Sequence, residues 1–188
     1  MDFRKVGLAA LRWGASWYRG QPLARLGDSK VIVQTPMAPC RVSFAGGGMH
    51  RVELALVPGV KAHDQFWAWV SAVEASAAAS PDLADWRGER SLSASIFRGS
   101  MRLMVFSDTL AFDASGALSG DLIGAAACSC LIELQGCWKT DGKWGVRWKV
   151  QQIKFDATPP DFPAAAALPV PPPAAADHAA YSFLEDAA

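Results

Sequence analysis

Residues 128–155 read CSCLIELQGCWKTDGKWGVRWKVQQIKF and contain two alternating segments joined at Lys139-Thr140-Asp141-Gly142-Lys143. Alternation of apolar and polar residues with a period of two is typical of a half-buried strand. A turn containing Asp-Gly between two such runs favours a β-hairpin. This stretch therefore predicts two long antiparallel strands, and it indicates a mainly β protein.

The length of the loop decides which side chains share a face of this hairpin. A two-residue loop at Asp141-Gly142 would place Lys139 opposite Trp144 and would mix polar and apolar side chains on both faces. A three-residue loop with Gly142 left-handed gives one apolar and one charge-paired face, so we predict this loop, with a bulge. The predicted apolar face sets Ile132, Leu134, Gly136 and Trp138 beside Val150, Trp148, Val146 and Trp144, and the polar face sets Glu133 opposite Lys149 and Gln135 opposite Arg147.

The rest of residues 1–155 adds shorter strands and one helix. Beyond Gln151-Gln152 the apolar positions change phase, which predicts a bulge or bend of the kind that helps to close a barrel. Residues 62–79 have apolar side chains at helical spacing, with Asp64 as a candidate N-cap, and they end before Pro81. The further candidate strands are Val31–Val33, Val52–Val57, Ser91–Phe97 and Met101–Phe106.

The composition changes abruptly at Asp156. Residues 156–188 contain seven prolines, 12 alanines and five acids but no Lys or Arg, which predicts a disordered tail after a folded domain of residues 1–155. The whole chain has 18 basic and 18 acidic groups, so the domain carries +5 and the tail −5. The last part of the tail mixes aromatic, aliphatic and acidic side chains, which suits either the docking of a partner or simple solubilisation. These residues are Tyr181, Phe183, Leu184, Glu185 and Asp186.

The usual catalytic and metal-binding motifs are absent from the sequence. No phosphate-binding loop, His-Glu-x-x-His or Cys-x-x-Cys is present, so we expect no enzymatic activity, no cofactor and no metal. Two alternatives stay open: a metal nuclease using Asp82, Asp85 and Glu89, and a zinc site formed by the four cysteines. With no membrane-spanning stretch and no signal peptide, the chain is expected to be soluble and intracellular.

Basic side chains alternate with aromatic ones in several segments. Cations that follow phosphates, combined with rings that stack on unpaired bases, are the chemistry of single-stranded nucleic-acid binding. The three tryptophans of the hairpin also fit the core. The candidate DNA-binding residues are Trp17, Tyr18, Arg19, Phe97, Arg98, Arg102, Lys139, Lys143, Trp144, Arg147 and Lys149.

Residues 17–155 resemble the single-stranded-DNA-binding proteins of large eukaryotic DNA viruses, which are similar in plan to phage replication binding proteins. The resemblance rests mainly on Val33–Met37, on the helix, on Met101–Phe112, and on Cys137–Lys139 followed by Lys143–Ile153. It implies an OB-fold-like barrel that binds exposed single strands without sequence preference during replication, recombination or repair. It also implies an acidic tail that docks replication proteins or occupies the DNA groove, and a location in a viral replication compartment of the host nucleus or cytoplasm.

A β-rich structural or assembly protein with a partner-docking tail and no nucleic-acid role is the alternative. The sequence leaves the oligomeric state open.

Overall fold

The computed structural model describes residues 2–18, 20–26, 28–46, 49–119 and 125–156. Within these ranges the chain forms strands joined by short connections, one long helix, one short helix and three 3₁₀ turns. The strands are β1 Leu11–Tyr18, β2 Gln21–Leu26, β3 Val31–Gln34, β4 Ala38–Gly46, β5 Met49–Ala55, β6 Ser91–Leu92, β7 Ile96–Phe97, β8 Ser100–Val105, β9 Leu110–Phe112, β10 Ala127–Lys139 and β11 Lys143–Asp156. The helices are α1 Lys61–Ala79 and α2 Ala84–Arg87, and the 3₁₀ turns are Phe3–Lys5, Leu8–Ala10 and Pro81–Leu83.

The described strands join one hydrogen-bonded sheet that is mainly antiparallel. Its longest path runs β1-β2-β10-β4-β5-β8-β7, with β11 along the other edge of β10. The prediction of a mainly antiparallel β fold with one long helix is confirmed. Along this path the described strands leave the sheet open rather than closing it into a barrel, since β1 and β7 stand at its two ends.

The apolar side of the sheet packs against α1. The helix buries Phe66, Trp69, Val70 and Val73, and the Trp69 ring lies 5.8 Å from the Trp148 ring of β11. Burial of apolar surface of this kind is the main stabilising contribution to a fold. The helix therefore covers the inner side of the sheet, which leaves the opposite side of β2, β10 and β11 as the outer face.

The hairpin of β10 and β11 differs from the predicted one near its turn. Thr140 N–H donates to the Lys143 carbonyl at 2.9 Å, which encloses the two-residue loop Asp141-Gly142, and Lys139 pairs with Trp144. The predicted three-residue loop is therefore wrong. A bulge at Gln135 corrects the register, so that the predicted pairs Leu134–Trp148, Glu133–Lys149 and Ile132–Val150 are present.

A second irregularity lies where the change of phase predicted one. Leu131 pairs with Gln152 and Ile132 with Val150, so Gln151 is an extra residue in β11. The shift returns Ile153 and Phe155 to the core, where both are buried. The predicted bulge near Gln151-Gln152 is confirmed, and it lets one strand change the faces of its side chains without breaking the ladder.

Two boundaries are sharpened by the structure. Helix α1 begins at Lys61 with Val60 as N-cap, so the expectation for Asp64 is wrong; its carboxylate instead accepts from Gly59 N–H at 3.2 Å. Strand β11 includes Asp156, which the sequence prediction had placed at the start of the tail. The predicted tail from residue 157 lies outside the described residues, and none of the described helices could span a membrane.

Candidate nucleic-acid interface

The outer face of β2, β10 and β11 collects basic side chains from distant parts of the sequence. Paired residues of an antiparallel ladder share a face, so the Gly136–Arg147 and Gly136–Leu23 pairs put Arg147 and Arg25 on the same side. Alternation adds Lys143 and Lys149 of β11. We call this surface the basic face, defined by Arg25, Lys30, Trp138, Lys143, Arg147 and Lys149.

Trp138 supplies the aromatic ring of the basic face. It pairs with Gly145, and a Cβ on Gly145 would lie only 2.8 to 2.9 Å from atoms of the indole. Because Gly145 has no side chain, there is room for the ring of Trp138 to lie against it. Trp138 is partly exposed, so the expectation that it belongs to the core is wrong.

Trp144, in contrast to Trp138, points into the core. It is 2% exposed and lies in the core, with the Arg87 guanidinium 5.6 Å from the centre of its ring. A ring this deeply buried has no face to offer to a base, which corrects the assignment of Trp144 as a DNA contact. Trp148 packs partly buried against the core as expected, and its indole N–H donates to Ser95 Oγ at 2.9 Å.

Two carboxylates partly neutralise the basic face. Lys149 Nζ lies 2.7 Å from Asp108 Oδ2, and its hydrogen bond lowers the pKa of that exposed carboxyl. Glu133 is 3% exposed, and its carboxylate accepts from Lys30 at 3.3 Å and from the Gln151 amide. Five cations against two acids leave the basic face positive, which is the sign that attracts phosphates.

Arg147 occupies the centre of the basic face and is half-buried. Desolvation lowers the pKa of its guanidinium, while the nearby Cys137 opposes this change. A guanidinium still stays protonated at neutral pH. Within the described residues Arg147 forms no ion pair, and its buried Nε has no hydrogen-bond partner.

Lys139 lies on the other side of the hairpin, because the two-residue loop pairs it with Trp144. Its Nζ donates to the Trp86 carbonyl at 3.0 Å and lies 4.9 Å from the centre of the Trp86 ring. Lys139 thus fastens α2 to the end of the hairpin. The structure does not bring it together with Arg147 and Lys149 on the basic face.

Phe97, Arg98 and Arg102 form a second surface at the far end of the sheet. Phe97 is 65% exposed, with the Arg98 guanidinium 5.1 Å from its ring centre, and Arg102 lies 3.6 Å from Glu53. Arg41 and Arg51 are exposed on the adjacent strands, facing the same side. We call this surface the arginine face.

The remaining predicted residues are only partly within the described chain. Trp17 and Tyr18 end β1 and pair with Pro22 and Gln21, beside the basic face, but only their backbone is described. Arg19 lies outside the described residues. So do the residues predicted to form the docking segment, which are Tyr181, Phe183, Leu184, Glu185 and Asp186.

The two alternatives that need a metal ion, the nuclease and the zinc site, find no set of ligands in the described part of the chain. No group of three or more potential metal-ligating side chains comes together there. Asp82 lies in the 3₁₀ turn Pro81–Leu83, and Asp85 lies in α2. All four cysteines are free thiols. Burial raises the pKa of Cys137 to about 12, and a hydrogen bond with Cys128 raises the pKa of Cys40.

No protein-family model and no curated protein matches the chain. Among solved structures, it is similar to gp2.5, a single-stranded DNA-binding protein encoded by bacteriophage T7, with 10% identity and a TM-score of 0.49 over 68% of this chain and 87% of that one. It is also similar to the single-stranded DNA-binding protein of bacteriophage Enc34, with 9% identity and a TM-score of 0.46 over 81% and 94%. The structure of the Enc34 protein in complex with single-stranded DNA gives 9% and 0.42 over 80% and 97%.

With identities this low, the function of the chain has to be inferred from its own surface. The sequence prediction missed Arg25 and Lys30, which join the basic face only because β2 and β3 pair with β10. It also missed that Trp138 faces outward. The available signal was Gly136, since an isolated glycine within a strand pattern indicates a bulge or a close backbone approach.

Proposed function

We propose that the protein binds single-stranded DNA without sequence preference, through the basic face and without catalysing a reaction. The supporting observation is the outward-facing Trp138, with Lys143, Arg147 and Lys149 on the neighbouring strand. The cations attract phosphates, and the indole offers a flat surface to an unpaired base of any identity. In a duplex the bases are paired and stack on one another, so none of them is free to stack on the ring of Trp138.

The experiment is a comparison of oligo-dT with a duplex of the same length by fluorescence anisotropy. We expect tighter binding to oligo-dT, and a steep loss of affinity as salt is raised, because the phosphate contacts release counterions. Equal binding to the two nucleic acids would contradict the proposal, as would no binding to either. Added magnesium or manganese should leave the strand uncut.

The acidic residues beyond Asp156 are proposed to compete with DNA for the basic face or to dock replication proteins. Residues 157–188 hold four acids and no Lys or Arg, so their charge is opposite to that of the face. Replacing Asp161, Asp177 and Asp186 with Asn and Glu185 with Gln should tighten oligo-dT binding at low salt, where attraction between the opposite charges is least screened. An unchanged affinity in this full-length variant would reject competition.

Exposed Phe97 favours a second candidate function, in which the arginine face binds a protein during assembly. An exposed aromatic ring beside arginines is common in protein interfaces. A protein that binds no single-stranded DNA, but assembles through Phe97, would support this candidate. Pull-down of defined assembly partners with the wild type and with Phe97→Ala distinguishes the two functions.

DNA replication, recombination and repair are the processes that expose single strands, and we propose that the protein acts there. Membership of the family from large eukaryotic DNA viruses, and a place in a viral replication compartment, stay predictions. Localisation of the tagged protein to sites of viral DNA synthesis would test the second.

A further inference from the structure

A cleft of about 280 Å³ lies in the basic face, where β2 approaches β10. Its polar walls are provided by Gln21, Arg25, Lys30, Glu133, Gln135 and Arg147. This volume is just below the ~300 to 1,000 Å³ typical of pockets for drug-sized ligands. The cleft therefore suits a small polar group rather than a whole cofactor.

The bulge at Gln135 lies in the wall of this cleft. The extra residue lies between the Leu134–Trp148 and Gly136–Arg147 pairs, and Gln135 and Arg147 both line the cleft. Gly136 permits the close approach of β2, because a Cβ there would lie 2.0 Å from the Pro22 carbonyl oxygen. Backbone geometry thus holds the cations of β2 and β11 around one opening.

The side chains that line the cleft carry a net positive charge, which favours the binding of an anion. Arg25, Lys30 and Arg147 face one carboxylate, and that carboxylate of Glu133 is already bound by Lys30 and Gln151. Arg147 is left with a buried Nε that has no partner among the described residues. A partly buried charge without a counter-ion is unfavourable, so an incoming anion would be bound strongly.

We propose that the cleft binds one phosphate group of the DNA backbone, with Arg147 as its principal ligand. The inference rests on the proposed function and deepens it by assigning a phosphate site next to the ring of Trp138. The planar guanidinium can donate two parallel hydrogen bonds to phosphate oxygens, which an ammonium cannot do. Arg147 holds the backbone, whereas Trp138 holds a base.

This division of roles is tested with two ligands, oligo-dT and an abasic strand of the same length. Arg147→Met removes the guanidinium but keeps an apolar stem, so the cleft wall stays packed. We expect this variant to lose about tenfold or more in affinity for both strands, with the salt slope reduced by about 0.7. Trp138→Ala should weaken oligo-dT binding while leaving abasic binding within about twofold.

Arg147→Lys and Arg51→Met are the matched variants. Arg147→Lys should restore the salt slope but not the full affinity, since it keeps the charge and loses the planar fork. Arg51 is an exposed arginine on β5 of the arginine face, and Arg51→Met should stay within about twofold of the wild type. An equal loss of affinity in Arg51→Met would show that Arg147 acts only through the overall charge of the protein, and it would overturn the inference.

Other outcomes separate the inference from the proposed function. If Arg147→Met weakens oligo-dT but not abasic binding, Arg147 contacts a base and the phosphate site is wrong. If Trp138→Ala weakens oligo-dT binding and Arg147→Met changes neither ligand, the function stands and the phosphate site fails. If the wild type binds no strand, the function fails.

A thermal melt tests the site without DNA. Inorganic pyrophosphate, compared with chloride at the same ionic strength, should raise the melting temperature of the wild type but not of Arg147→Met. An equal shift in both proteins, or no shift in the wild type, would overturn the phosphate site.

Discussion

Gly136→Ala is expected to destabilise the protein by about 3 kcal/mol or more, because overpacking and an unfavourable backbone conformation add together. The new Cβ would lie 2.0 Å from the Pro22 carbonyl oxygen and 2.8 Å from Leu23 Cα. Both are backbone atoms, so no change of rotamer relieves the contact. Gly136 also has a φ of 150°, a backbone angle that residues other than glycine rarely adopt. Urea denaturation of the two proteins measures the difference in the free energy of unfolding.

Gly142→Ala is the matched control for this experiment. Gly142 lies in the turn of the same hairpin with a φ of 84°, and a Cβ there would meet nothing within 4 Å. Its replacement should therefore cost only the left-handed backbone penalty, about 1 to 2 kcal/mol. Equal costs for the two variants would show that the close approach of β2 to β10 is not a determinant of stability.

Trp138→Ala is expected to weaken oligo-dT binding about 5- to 150-fold, which corresponds to the ~1 to 3 kcal/mol that one base stacked on an aromatic ring contributes. The side chain lies outside the core cluster, so stability should change little. Anisotropy titrations of folded variants, checked by circular dichroism, measure the effect. Unchanged affinity in Trp138→Ala would contradict a stacking role.

Two further variants sharpen this result. Gly145→Ala forces the indole of Trp138 to move, since the new Cβ would lie 2.8 Å from the ring, and should give a smaller loss in the same direction. Phe97→Ala removes the exposed ring of the arginine face. A larger loss in Phe97→Ala than in Trp138→Ala would move the interface to that surface.

The sequence pattern predicts much of the hairpin because burial imposes strict alternation. Val150, Lys149 and Trp148 have their predicted partners, and α1 begins one residue before the predicted helix. The prediction is wrong at the turn, because the mixed faces that a two-residue loop produces do not exclude this loop when a bulge follows it in the strand. The chain instead combines that loop with a bulge at Gln135, so Trp144 stays in the core and Trp138 lies on the outer face.

The rest of the site depends on long-range pairing, which one strand's pattern does not contain. Arg25 and Lys30 lie about 120 residues before Arg147, and they meet it only through the pairing of β2 and β3 with β10. Alternation alone also does not show that Trp138 faces outward, since the three-residue loop would place it in the core beside Trp144, whereas the observed register pairs it with Gly145. The two-residue loop and the bulge at Gln135 together define the observed register.

Photocrosslinking locates the bound strand most directly. An oligo-dT containing a single 5-iododeoxyuridine is irradiated in complex with the full-length protein, and the crosslinked residue is identified by mass spectrometry. Because the basic face presents Trp138 to an unpaired base, the crosslink should fall on Trp138 and should disappear in Trp138→Ala. A crosslink on Phe97 of the arginine face, with none on β10 or β11, would contradict the basic face as the single-stranded DNA interface.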